Sequence, residues 1–295
     1  MIDSKLNTFI NVAKLKSYTR AAELLNLTQP AVTQHIKQLE EYYNVKVFDK
    51  KGRQICLTEE GKLLLQYAKE LEANAILIER KLKNKTALVK RYNLGATLTI
   101  GEYVLPSLLG KYKQLNENID VIMNVNNLEE VLNRQRSGKI DLGLVEGPFD
   151  KTQFNYRKFK DDELVLVASP QNKFAQMNKV FIKDIVKDCR LILREKGSGT
   201  RVVFENKLEE FGYNPSDLNV YMEIGSLGAI KSLVEANLGC TVISKEAIKK
   251  ELQSGTIVII PIKDARIMRE FNFIYLDNSP MEFINEFMDF LISSK

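Results

Sequence analysis

The sequence is poor in the residues from which most catalytic centres are built. It holds one histidine, His35, in 295 residues. A Ser-His-Asp arrangement or a histidine-rich zinc site would have to form around that residue alone. Nothing near it in sequence supplies a nucleophilic serine or a cysteine pair, which argues against hydrolytic and zinc chemistry, so no catalytic and no metal-ligating residue is assigned. The three cysteines, Cys56, Cys189 and Cys240, lie far apart and leave an odd count. They are expected as buried small apolar residues in a reducing compartment, without a disulfide framework. No apolar run reaches the ~20 residues of a membrane span. The opening MIDSKLNTFINVAKLKS also lacks the apolar centre of an export signal. The expected location is the cytoplasm, with no membrane partner. Nucleotide-binding signatures are missing too. In the glycine-rich stretch REKGSGTR, Arg194 to Arg201, Gly199 is followed by Thr200 and Arg201 where a P-loop needs lysine and a hydroxyl residue. The dinucleotide pattern fails because Val202 stands three residues after Gly199. No cofactor is therefore expected.

What is present describes a globular chain. Apolar residues make up 44% and charged residues 27%, near the values of ordinary globular proteins. The length exceeds that of a usual single core and predicts two or three domains. The net charge of +5 is unevenly placed: residues 1–90 carry 16 Lys plus Arg against 10 Asp plus Glu, the remainder 27 against 28. The front third is thus positive by 6 and the rest negative by 1. Such asymmetry fits nucleic-acid binding, and it also fits a lysine-rich solvated face.

In the front third, Leu6, Phe9, Ile10 and Ala13 recur at helical spacing. YTRAAELLNLTQPAVTQHIKQLE, residues 18–40, then predicts two short helices joined by a tight turn at residues 26–28, with Thr19 as cap of the first and Pro30 near the start of the second. On the second helix Val32, Ile36 and Leu39 share one face, and Pro30, Thr33, Gln34 and Lys37 the opposite one. Glutamine and threonine can read base edges in a major groove and lysine can reach a phosphate; an ordinary exposed polar face is the other reading. VKVFDKKGRQICLT follows, alternating apolar residues around a basic turn, Lys50 to Arg53, as a two-stranded wing would. Basic wing tips favour the phosphate backbone.

Residues 1–61 resemble the winged helix-turn-helix of LysR-type transcriptional regulators. The resemblance rests on F-x-x-V-A at Phe9 to Ala13, S-Y-T-R-A-A-E-L-L, L-T-Q-P-A-V-T-Q-H-I-K-Q-L-E, V-x-V-F-D-K and L-T-E-E-G. It implies DNA contact by Thr28, Gln29, Pro30, Thr33, Gln34 and Lys37, beside the wing cations Lys50, Lys51 and Arg53. Thr33 and Lys50 stand where serine and arginine are commoner in that family.

Thr58, Glu59 and Glu60 form a good helix start, and no proline interrupts the chain to about Leu88. Gly61, Leu64, Ala68, Leu71, Ala75, Ile78 and Leu82 then alternate spacings of 3 and 4, as in a coiled-coil seam. This predicts dimerisation through Leu64, Ala68, Leu71, Ala75, Ile78 and Leu82; packing within the same chain is the alternative. Thirty helical residues would span about 45 Å. In the resembling family the matching helix is the dimerising linker.

Beyond Lys90 apolar strands alternate with helices: YNLGATLTI, IDVIMNV, KIDLGLV, ELVLVAS, RLILR, NVYMEI, CTVIS, TIVIIPI and FNFIYL. That is an α/β pattern. It resembles the periplasmic-binding-protein-like effector domain of the same regulators. The expected organisation is multidomain: an all-α winged helix-turn-helix at 1–58, a linker and dimerisation helix at 59–89, and a two-lobed α/β effector-binding domain at 90–295. Lobe I takes 90–160 and 265–295, lobe II takes 161–264.

Two helix starts would face a cleft between the lobes: Thr97 and Thr99, with Glu102 at capping-box spacing, and Ser198, Gly199 and Thr200. These hydroxyls either cap their helices or bind a ligand. Positions matching the family's effector site point to the ligand. Arg201 either turns inward or pairs with Glu205 four residues on. So many hydroxyls and so few apolar neighbours suit a small anion, a short carboxylate or an inorganic oxyanion. LREKGSGTR also resembles the matching run in regulators of sulfur assimilation and carbon fixation, which suggests a sulfur oxyanion. The implied partners are double-stranded operator DNA, a second copy in a homodimer or dimer of dimers, the effector, and RNA polymerase. A solute-binding protein leaves the front third unused, and an α/β enzyme with a DNA-binding appendage lacks a nucleophile, base and metal.

Overall fold

The computed structural model describes residues 3–51, 54–86, 89–177 and 179–294. The chain divides into two compact units, the first built from residues up to 86 and the second from most of the chain after them.

The first unit contains α1 (Ser4–Leu15), α2 (Tyr18–Leu25), α3 (Gln29–Tyr43), β1 (Phe48–Lys51), β2 (Gln54–Leu57) and α4 (Glu59–Thr86). Side-chain caps set the helix starts. Thr28 Oγ1 accepts from the Ala31 amide at 3.4 Å, with Pro30 in the first turn of α3. The cap of α2 is Ser17, which accepts from the Arg20 amide at 3.2 Å; Thr19 lies inside the helix, so its expected capping role is corrected. Asn26, at φ 53°, makes the left-handed exit from α2 that allows a tight turn. Phe9, Val12, Ala21, Val32, Ile36, Val47 and Ala68 form one core. β1 and β2 pair antiparallel, Phe48 opposite Leu57, as the wing. Thr58 Oγ1 accepts from the Gly61 amide at 2.9 Å and starts α4.

The second unit is a mixed sheet. β3 (Lys90–Thr97) pairs in parallel with β4 (Ile119–Asn126) and with β5 (Leu142–Glu146). Parallel neighbours need crossovers, supplied by α5 (Leu105–Leu115) and α6 (Leu128–Arg136). Two long antiparallel strands continue the sheet, β6 (Asn155–Ala168) and, later in the chain, β11 (Ile267–Tyr275), whose register shifts between Phe271 and Asn272. The other half holds α7 (Ile182–Asp188), β7 (Leu191–Leu193), α8 (Gly199–Glu210), β8 (Val220–Glu223), α9 (Leu227–Glu235), β9 (Thr241–Ser244), α10 (Lys249–Ser254) and β10 (Val258–Ile260). α11 (Met281–Ser293) ends the chain against β3 and β5, where Tyr92 and Phe283 stack at 3.7 Å.

β6 and β11 run through both halves. Phe159, Phe271 and Phe273 belong to one core with Leu94, Leu144 and Phe287, whereas Leu164 and Ile267 belong to another with Leu193, Phe204 and Ile260. β5, β7 and β9 are buried along their whole length, as strands covered on both faces are, whereas β4 is half-buried and β8, paired only with β7 in a separate two-stranded sheet, is mostly exposed. Cys189 and Cys240 are buried, and Cys56 is only partly so. Among the described residues no helix is long and apolar enough to cross a membrane.

Candidate functional site

In the first unit α3 divides its faces cleanly. Val32, Ile36 and Leu39 are buried; Gln29, Pro30, Thr33, Gln34 and Lys37 are exposed, as is Thr28 before them. Gln29 Nε2 donates to Thr33 Oγ1 at 2.9 Å, and Thr33 Oγ1 donates to the Gln29 carbonyl at 3.1 Å, which fixes the two side chains against each other. Lys37 Nζ lies 3.6 Å from Glu41, an exposed pair worth less than about 1 kcal/mol that a phosphate readily replaces. The side chains of Lys50 and Lys51, and all of Arg53, lie outside the described residues. His35 shares a 2.9 Å hydrogen bond with Thr8 Oγ1 and ties α3 to α1.

The seam on α4 splits. Ala68 is 1% exposed and Leu64 packs beside it on the core of the first unit, the alternative of packing within the same chain. Ala75 is half-buried. Leu71, Ile78 and Leu82 are 53%, 59% and 64% exposed, apolar residues at seam spacing that solvent should not keep.

In the second unit β3 ends at Thr97 and its parallel neighbour β5 ends at Glu146, so both side chains emerge at the carboxyl edge of the sheet, where open α/β sheets bind ligands. The opposing half contributes the start of α8. Gly197, at φ 86°, takes the left-handed turn before it. A Cβ on Gly199 would stand 2.1 Å from the Glu146 carbonyl oxygen, so the helix start abuts the end of β5 only because that residue is glycine.

Of the hydroxyls expected from sequence, Thr97, Thr99 and Thr200 are brought together by Glu146 and Arg269, and the expected caps are not made. Thr99 makes no cap bond to the π-helical turn Ile100–Val104, and Ser198 makes none to α8. Thr97 Oγ1 bonds the Glu146 carboxylate, whose other oxygen accepts from the Thr99 amide at 3.4 Å. At the centre stands Arg269 of β11, with its side chain only 2% exposed. Its Nη1 donates to Thr200 Oγ1 at 2.9 Å and its Nη2 to Thr99 Oγ1 at 3.3 Å, linking the two halves. Its Nε donates to Asp162 of β6 at 2.7 Å, and Asp162 accepts from Ser244 Oγ at 2.7 Å. Arg269 Nη1 also lies 4.0 Å from Glu146. Burial pushes the Glu146 carboxyl up to about 7; Arg269, the Thr99 hydrogen bond and Arg194 pull the other way, and Asp162 adds to the rise.

Arg201 is buried, and of its two expected courses it takes the pairing with Glu205. Its Nε donates to Glu205 at 2.7 Å, and its Nη1 reaches the Arg194 carbonyl at 3.0 Å and Glu223, so it is corrected from ligand contact to the ion pairs that anchor α8. The cation that meets Thr99 and Thr200 is Arg269. Reading the sequence overlooked Arg269, Glu146 and Asp162. The available signal was strand phase: Arg269 falls in the inward register between Ile267 and Phe271. What results is a guanidinium held by one carboxylate, with two hydroxyls, the backbone donors of a helix start and a second carboxyl, raised to about 7, around it. Buried donors of this kind are the chemistry that small anions require.

Comparison with known proteins follows the same division. Residues 4–62 match the family described as bacterial regulatory helix-turn-helix protein, lysR family, and residues 86–294 match the LysR substrate binding domain. The HTH-type transcriptional activator CmpR of Synechocystis is 31% identical over 290 residues, 98% of this chain and 94% of that protein. The HTH-type transcriptional regulator CysL of Bacillus subtilis is 30% identical over 275 residues, 92% of this chain and 89% of that one. Among solved structures, the Synechocystis CcmR regulatory domain in complex with 2-PG superposes with a TM-score of 0.63 at 29% identity, over 69% of this chain and 96% of that one.

Proposed function

The chain belongs to the LysR family and is a transcriptional regulator with a DNA-binding helix-turn-helix and an effector-binding domain; from that premise we propose that its effector is a small anion held around Arg269. The observation that carries this reading is the buried guanidinium joined to Thr99 in one lobe and Thr200 in the other. An anion there replaces both hydroxyl contacts with a charged partner and biases the lobes toward one arrangement. On this reading Thr97, Thr99, Ser198, Gly199 and Thr200 line the anion's place. The ligand class is an inorganic oxyanion, a sulfur oxyanion first, or a short carboxylate; the 2-PG bound by CcmR is the comparison's own example of a small ligand in this domain. The protein acts by binding, without turnover, and in the cytoplasm.

On this reading 1–58 engages operator DNA through Thr28, Gln29, Pro30, Thr33, Gln34, Lys37 and the wing cations, 59–89 joins two copies through Leu71, Ala75, Ile78 and Leu82, and 90–295 senses. Lobe I is 90–160 with 265–295, and lobe II is 161–264. Dimers or dimers of dimers occupy the operator, with RNA polymerase as the downstream partner. Calorimetric titration with sulfate, sulfite, thiosulfate, phosphate and small organic acids tests the site. Thr97→Val and Ser198→Ala should each cost roughly 1.5 to 3 kcal/mol, at least tenfold in affinity. Unchanged binding in both, or an uncharged apolar molecule as sole binder, refutes the anion reading.

A further inference from the structure

The donors that an anion would need are already in use. Glu146 takes the Thr97 hydroxyl and the Thr99 amide and approaches Arg269 to 4.0 Å, so the cleft contains a carboxyl in or beside the place of the ligand. Charge makes this consequential. Arg269 and Asp162 are paired at 2.7 Å and cancel, and Arg194, the other cation near Glu146, is engaged by Glu195 at 2.7 Å. An ionised Glu146 would leave the buried cluster net negative before any ligand arrives, and an anion would add to that in a medium that screens little.

We propose that the cleft binds its anion together with one proton, held on the hydrogen bond between Glu146 and an anion oxygen, and that Glu146 thereby selects among anions. This rests on the anion reading above and names how that site discriminates. When Glu146 is protonated, its O–H donates to any oxyanion. When it is ionised, it can only accept, and the ligand must carry the proton itself. The groups that face Glu146 are Arg269 from β11, Asp162 from β6 and Arg194 after β7. No histidine competes, since His35, the chain's only one, is engaged by Thr8 in the first unit. With the Glu146 carboxyl at about 7, the choice is made near neutrality.

Sulfate and hydrogenphosphate are matched probes, alike in size and both dianionic at pH 8, and only hydrogenphosphate keeps a proton there. Calorimetric titration of the full-length protein with each, from pH 6 to pH 9, should show sulfate affinity level at the acid end and falling about tenfold per pH unit above 7. Sulfate binding at pH 8 should take up close to one proton, read from the heats in two buffers of different ionisation enthalpy. Hydrogenphosphate should gain on sulfate as pH rises. Glu146→Gln should make sulfate binding independent of pH. Should that variant fail to fold, the buffer comparison on the unaltered protein decides alone. Sulfate binding with the same affinity throughout and no proton uptake overturns the proposal while leaving an anion site in place. Failure of every oxyanion and carboxylate to bind at any pH overturns the anion reading and this proposal with it.

Discussion

Replacing Gly199 with alanine tests whether the sensor cleft depends on the close approach of α8 to the end of β5. The added Cβ would meet the Glu146 carbonyl oxygen at 2.1 Å, the Glu146 carbonyl carbon at 3.0 Å and the Gly147 Cα at 3.3 Å. All three are backbone atoms, so no side chain can swing aside, and the first turn of α8 must retreat by about 1 Å to restore van der Waals separation. Overpacking of this kind costs roughly 1 to 3 kcal/mol. Alanine recovers up to about 1 kcal/mol of helix propensity, leaving a net loss of up to about 2 kcal/mol when the recovery is full. Retreat also carries Ser198 and Thr200 away from Thr97 and Arg269, so anion affinity should fall at least tenfold, the worth of one charged hydrogen bond. Gly228, in the first turn of α9, is the control: its nearest neighbour is Ser226 Oγ at 3.9 Å, and Gly228→Ala should be neutral or stabilising by up to about 1 kcal/mol. Urea unfolding followed by circular dichroism, beside anion titration at one pH, measures both effects. A Gly199→Ala protein as stable as the parent and with the same anion affinity would refute the reasoning, because the contact would then be one that the backbone relaxes at no cost.

Gln29→Ala should weaken the preferred operator by roughly 1 to 3 kcal/mol and leave non-specific duplex binding unchanged, measured at one salt concentration; an equal loss on both would mean that Gln29 reads no base. Leu71→Asp puts like charges into an apolar seam and should shift the full-length protein toward monomer in sedimentation; a parent protein that is itself monomeric at high concentration would remove α4 from the interface.

What could be read from the sequence depended on whether the signal was local. The outward face of α3 was legible because its apolar and polar residues alternate with helical period, and residues 29–37 need only their own backbone to share a face. Strands such as β5, β7 and β9 were legible because they are buried throughout and therefore written largely in apolar residues. The threonines of the cleft were legible through the strand end and capping-box spacing at Thr97 and Thr99 and the glycine-rich helix start at Thr200. Thr97 and Thr200 lie in different lobes, yet each announces itself beside a strand end or a helix start. Arg269, Glu146 and Asp162 gave no such signal. They sit on three strands, and only the pairing of β6 with β11 brings Asp162 and Arg269, 107 residues apart, within hydrogen-bond distance. A sequence motif cannot record a contact that depends on the register of two distant strands. Strand phase can: a charged residue in the inward register of an otherwise apolar strand must find a buried partner, because leaving it alone would cost several kcal/mol. The α4 seam fails in the opposite way. Period 3.5 says that a stripe will be covered and is silent on what covers it. Ala68 meets its own core and Leu71, three residues on, meets solvent, so one uninterrupted pattern runs through two environments, and only the exposure of Leu71, Ile78 and Leu82 separates the part proposed for a second copy from the part that packs within the chain.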